Sequence, residues 1–154
     1  MTTLITLIVA AVTFGTVLMY GTLGEILTEK SGNLNLGVEG IMYMGGAFGL
    51  AGAFYYEKAA GGAASGPVAI VIAILAAFAA GMAASAIYSF ITITLRANQN
   101  VTGLALSIFG TGIGQFVGEF MRVSENGYVA LSNDLKDAFS AAIFPDFLIN
   151  IPVI

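Results

Sequence analysis

An all-α, polytopic transmembrane helix bundle is the fold class this sequence predicts, and three observations predict it. Of 154 residues, 58% are hydrophobic and only 9% charged, whereas a soluble globular chain carries roughly 25% charged residues. The mean hydropathy is +0.92, too high for the polar surface that a water-soluble ball requires. The few charges fall between long charge-free runs, as expected of about four spans joined by short polar segments. Counting soluble domains by length does not apply to such a bundle, so residues 1–154 are expected to form a single transmembrane domain.

The elements follow in order. Leu4 to Gly24 is free of charge, and at 1.5 Å per residue it covers roughly 31 Å, enough for a hydrocarbon core of about 30 Å. The start, MTTLITLIVA, lacks the positive region of a secretory signal, so a retained first helix is expected near residues 4–27. Glu25, Glu29 and Lys30 then form a charged rim. A second span is predicted over 36–56. EKAAGGAASGP, residues 57–67, is a loop of small residues, and Pro67 suits the first turn of the next helix. Val68 to Leu95 is the longest apolar run, giving a third span over 67–95 that is tilted or extends beyond the bilayer. RANQN, residues 96–100, is a polar hinge before a fourth span over 98–118.

Beyond Gly118 the chain becomes rich in charge. Leu135, Ala138, Phe139, Ala142 and Ile143 recur at i, i+3, i+4, i+7 and i+8, with Ser132 as a candidate N-cap. A short amphipathic interfacial helix over 132–144 is predicted. The final FLINIPVI is an apolar start with nothing after it, so the polypeptide is expected to be cut off where another span would begin.

Composition excludes several chemistries. A net charge of −4 with five basic residues gives no electrostatic basis for binding nucleic acid. Without Cys there is no disulfide, thiolate nucleophile or Cys-based metal site, and without His there is no His-containing triad or zinc site. No cofactor or metal is expected.

The 20 glycines are spaced informatively. Gly110, Gly114 and Gly118 form GxxxGxxxG along one face of the fourth span, and Gly45 and Gly49 form GxxxG in the second. Such faces let helix backbones approach closely, which matters in lipid, where packing replaces the hydrophobic drive. Packing within the chain and a dimer interface both remain open at this point.

SGNLNLGVEGIMYMGG, residues 31–46, carries the polar residues that a span has least use for. Either Asn33 or Asn35 caps the second helix and Glu39 sits in its first turn, where the helix dipole favours a negative charge by about 0.3–1 kcal/mol. Or the segment is broken or re-entrant, and Asn33, Asn35 and Glu39 line a polar solute pathway. Asn98 and Asn100 before the fourth span pose the same choice between capping and lining.

SGNLNLGVEGIMYMGGAFG resembles the Gly–Asn–Leu–Gly–x–Glu–Gly segment of the membrane permease subunits of ABC importers, in the branch for nucleosides and related sugars. That branch is kin to the ribose-type and branched-chain amino acid permeases. LRANQNVTGLALSIFGTGIG is similar to the stretch that follows two spans later in that branch, and the two motifs stand in the family's order and spacing. The resemblance covers nearly all of this chain but only the N-terminal part of a family member. It implies a multi-pass protein of a bacterial or archaeal plasma membrane, surrounded by membrane lipid. It implies as partners a second permease subunit, a cytoplasmic ABC ATPase, an extracytoplasmic solute-binding protein and a small-molecule solute. The permease itself is expected not to be an enzyme, and the sequence has no Gly-x4-Gly-Lys-Ser/Thr loop for wrapping phosphates. The resemblance also implies an outside N-terminus, with Lys30 and Arg96 cytoplasmic and Lys58, Arg122 and Lys136 outside, against the positive-inside count. Two other readings compete: a structural membrane protein that assembles through its GxxxG faces, and half of a secondary transporter using Glu39 as a proton or cation site.

Overall fold

The computed structural model describes residues 2–125 and 127–140. Its helices are α1 (Thr2–Lys30), α2 (Val38–Ala60), α3 (Gly66–Ser89), α4 (Gln99–Ser124) and α5 (Asn133–Ser140), and a π-helical turn, Phe90–Thr94, ends α3. The four long helices run alternately up and down. Lys58 pairs with Glu125, and the Ser132 N–H donates to Glu57 at 3.0 Å, so the 57–65 loop and α5 share one end of the bundle. Gln99 reaches Asn33, so the 31–37 and 95–98 connections share the other end. Lys30 and Arg96 therefore lie opposite Lys58, Arg122 and Lys136.

Among the described residues, three helices are long and apolar enough to cross a membrane: Thr3–Lys30, Gly66–Thr94 and Gln99–Ser124. By composition that is three crossings, not the four expected. α2 is long enough, since its 23 residues rise roughly 34 Å. Its composition differs because it is the central helix. It packs against α1, α3 and α4, and its buried face is Gly40, Met44, Gly45, Gly49, Ala51 and Ala53. A helix surrounded by protein needs fewer lipid-facing side chains.

Small residues set the spacing. A Cβ on Gly49 would lie 3.2 Å from the Ala73 carbonyl oxygen, and one on Gly45 would lie 3.5 Å from that of Ala77. The alanine-rich α3 thus packs on the glycine face of α2, with Ala80, Ala84 and Tyr88 joining Met44 and Leu106 in the core. On the α4 side the approach is closer. A Cβ on Gly110 would meet the Gly40 carbonyl oxygen at 2.5 Å. α1 packs on α2 alone among the helices, and its large apolar side chains from Leu4 to Leu27 are exposed. Its Thr16, Thr22 and Thr28 hydroxyls donate to the carbonyls four residues back, so they present no unpaired donor to lipid.

Several predicted boundaries are corrected. α1 runs to Lys30, and α2 starts at Val38 rather than 36. α3 ends in a π-helical turn, with Leu95 N–H donating to Phe90 O at 3.1 Å. α4 extends six residues past Gly118, where an Arg122–Glu119 pair one turn apart braces its last turns. Ser132 does cap α5, its hydroxyl accepting from Leu135 N–H at 3.4 Å, and Leu135 is buried. The predicted remainder of that helix, 141–144, lies outside the described residues.

Candidate functional site

The site is built where α1 ends and the chain turns back. Gly32 holds φ +88°, Gly32 N–H donates to Glu29 O at 2.9 Å, and Asn33 N–H donates to Thr28 O at 3.2 Å. That is a Schellman ending, which needs the left-handed conformation glycine adopts without penalty. It sends residues 33–37 inward against α4. Ser107 donates its hydroxyl to Leu36 O at 2.8 Å, and a Cβ on Gly103 would sit 2.7 Å from Leu36 N.

Depth follows from these contacts. Ser107 lies eight residues into α4, roughly 12 Å below its first residue. The irregular backbone of residues 33–37 therefore re-enters the bundle alongside α4, level with Gly103 to Ser107. Such backbone persists at that depth only where protein satisfies its polar groups, and here side chains from three helices do so. Glu25 Oε1 (α1) accepts from Asn35 N–H at 2.8 Å. The Tyr88 hydroxyl (α3) donates to Leu34 O at 2.6 Å. Gln99 (α4) accepts from Leu34 N–H at 2.9 Å and donates to Asn33 Oδ1 at 3.2 Å.

The predicted site residues divide accordingly. Asn35, 8% exposed, accepts from Gly37 N–H at 2.9 Å in an Asx turn. Neither Asn33 nor Asn35 caps α2; Gly37 occupies that position and, lacking a side chain, makes no cap hydrogen bond to the first turn. Asn98 does cap α4, accepting from Asn100 N–H at 3.0 Å and Val101 N–H at 3.2 Å, and both asparagines are exposed at the rim. Glu39 is in the first turn of α2, as expected. Because α2 starts deep, however, its neighbour Gly40 meets Gly110, roughly 16 Å along an α4 of roughly 39 Å. Glu39 is thus near mid-depth, exposed, and among the described residues makes no hydrogen bond or ion pair.

Glu39 lines an open groove of about 700 Å³ with Leu18, Met42, Tyr43, Gly114 and Gly118. A Cβ on Gly114 would lie 2.5 Å from Tyr43 Cδ1, whereas nothing lies within 4 Å of one on Gly118. Gly114 therefore seats the tyrosine ring, and Gly118 keeps the groove open. The sequence placed Glu25 in a charged rim, whereas it turns inward to accept from Asn35 N–H, and Tyr88, Gln99 and Ser107 were not singled out. For the α4 pair a signal exists: Gln99, Gly103, Ser107 and Gly110 recur at i, i+4, i+8 and i+11, extending the glycine face back to the polar hinge.

Residues 7–151 match the family model described as branched-chain amino acid transport system / permease component. The chain belongs to this permease family. Among its relatives is a protein of Haloferax volcanii provisionally named a glucose ABC transporter permease protein, 32% identical over 94% of this chain and 39% of its own length. Another is the guanosine ABC transporter permease protein of Bacillus subtilis, 31% identical over 70% of this chain and 32% of its own length. The chain thus spans well under half the length of either relative. No solved structure matches. The relatives are permeases rather than enzymes, and with its apolar helices this family member is a multi-pass plasma-membrane protein.

Proposed function

We propose that residues 1–154 form one transmembrane permease domain within the permease subunit of an ATP-driven ABC importer for nucleosides or related sugars. In this reading α2 is a fourth crossing, and the groove beside it is part of the solute pathway. One observation supports the reading: in a chain of this family, Glu39, unpaired among the described residues, lines a groove beside α4, next to the contact of Gly40 with Gly110. A charge within a span costs on the order of 2.5–3.5 kcal/mol at the helix centre on insertion scales, so it marks function by default. Asn33 and Asn35 shape the re-entrant turn that sets its position along α4, and Asn98 and Asn100 stand at the polar rim above it. The partners are a second permease subunit, a cytoplasmic ATPase and an extracytoplasmic solute-binding protein. Assembly without solute passage does not call for an unpaired carboxylate in a groove. The secondary-transporter alternative would use that carboxylate, but the family gives it no support.

The test is uptake of radiolabelled guanosine and glucose by cells carrying the complete transporter, normalised to permease abundance. Import of either solute, dependent on the complete gene, is expected. Asn35→Ala and Glu39→Gln should each reduce it while the protein still inserts. Full uptake in both variants would leave these residues a purely structural role, and import of neither a nucleoside nor a sugar would sink the reading.

A further inference from the structure

Glu39 and Tyr43 stand one turn apart on α2 and both face the α1/α2/α4 groove. We propose that they form a recognition site for the vicinal hydroxyls of an uncharged, ring-bearing solute, the carboxylate accepting from the hydroxyls and the tyrosine ring lying against the solute's ring face. This rests on the importer reading and assigns the residues that discriminate the solute.

Four observations converge. The carboxylate makes no bond or ion pair among the described residues, so both its oxygens are open to donors, and a pair of hydroxyls supplies two. Tyr43 is 49% exposed and its hydroxyl is likewise unbonded among the described residues, while its ring is held in place by the absence of a side chain at Gly114. A ring fixed from behind and open in front is a stacking platform that loses little freedom on binding. The remaining walls are apolar, with Leu18 and Met42 nearby, and the volume of about 700 Å³ falls within the range of small-molecule sites.

Charge decides the class. The adjoining cleft, which shares Tyr43, Gly114 and Gly118, contains one cation, Arg122, and Glu119 already holds it with a 2.8 Å bond from Arg122 Nε. Among the described residues that line the groove itself, no cation stands beside Glu39 to receive a phosphate or a carboxylate. An anion about 6 Å from Glu39 would be disfavoured roughly 100-fold at an effective dielectric constant near 20. A neutral polyol incurs no such repulsion.

The experiment labels membranes carrying the complete permease with a hydrophobic carbodiimide, which concentrates in the bilayer and adds to carboxyl groups there. The resulting acylurea is located by mass spectrometry. Glu39 should be modified and Glu39→Gln should abolish that adduct. Uridine, glucose or both, in millimolar excess, should slow the labelling. 2′,3′-Dideoxyuridine should protect roughly 100-fold less well than uridine, the effect of losing two charged hydrogen bonds, and uridine 5′-monophosphate should not protect. Tyr43→Leu should remove the protection while leaving the adduct, and Tyr43→Phe should keep most of it. An unreactive Glu39, or labelling that neither uridine nor glucose slows, overturns the proposal, because lipid or another subunit then fills the groove. Equal protection by uridine and its dideoxy analogue overturns hydroxyl recognition. The uptake assay reads the importer function separately, so failure there is distinguishable from failure here.

Discussion

Gln99 holds Leu34 across 65 positions of sequence: its side-chain oxygen accepts the Leu34 N–H at 2.9 Å while its amide nitrogen donates to Asn33 at 3.2 Å. One side chain in the first turn of α4 thereby stands in for the backbone partners that the re-entrant segment gives up. The depth of the α2 start, and hence of Glu39, depends on such replacements.

Gln99→Ala should strip the Leu34 N–H of its partner and destabilise the protein by about 1–3 kcal/mol, the cost of an unsatisfied buried donor. Gln99→Glu keeps the acceptor and loses the donor to Asn33 Oδ1 and Gly32 O, so its loss should be smaller. Unfolding of the full-length protein in detergent measures both, and an alanine variant as stable as the parent would rule out this role.

Tyr88→Phe keeps the ring in the core and removes only the 2.6 Å bond to Leu34 O. A loss of about 1 kcal/mol is expected, with α3 and α2 still packed. The same unfolding experiment checks it. A Tyr88→Phe variant as stable as the parent, beside a destabilised Tyr88→Ala, would mean that ring packing, not the hydroxyl, is what Tyr88 contributes.

Gly110→Ala and Gly118→Ala make a matched pair. The first forces a methyl within 2.5 Å of the Gly40 carbonyl, and the second points into open space. Gly110→Ala should cost about 1–3 kcal/mol or prevent assembly, as overpacking does, and Gly118→Ala should be near neutral. Equal effects on melting in detergent would contradict the close approach of α2 and α4.

Glu25 is the side chain that ties α1 to the re-entrant segment, through the Asn35 N–H at 2.8 Å. Glu25→Ala should raise hydrogen exchange at the Asn35 amide roughly tenfold or more, since losing about 1.4 kcal/mol of local protection corresponds to that factor. Glu25→Gln retains an acceptor and should exchange more slowly than the alanine variant. Unchanged exchange in Glu25→Ala would show that α3 and α4 hold the segment without it.

Much of the architecture was legible in composition and period. Charge-free runs located the long helices because a bilayer tolerates few charges along a span. The α5 stripe and its Ser132 cap were readable because amphipathic spacing and capping are local. Boundaries were less so: the ends of α3 and α4 run through π-helical and charged turns whose extension depends on neighbours. The polar residues at 31–39 and 98–100 were visible as anomalies, yet their division into scaffold and groove was not. Asn33 and Asn35 bond within the chain while Glu39 does not, and nothing local separates them.

Alternation of apolar runs and short polar links is a property of the chain read in order, so helix number, membrane residence and the glycine faces follow from it directly. How deep α2 begins is a relation between distant segments. It depends on Gly103 and Gly110 admitting the backbone at Leu36 and Gly40, and on Glu25, Tyr88, Gln99 and Ser107 meeting the polar groups of residues 34–36. Close backbone approach and hydrogen bonds across three helices exist only once the helices are packed. Tertiary structure therefore decided how far along α4 the carboxylate of Glu39 stands.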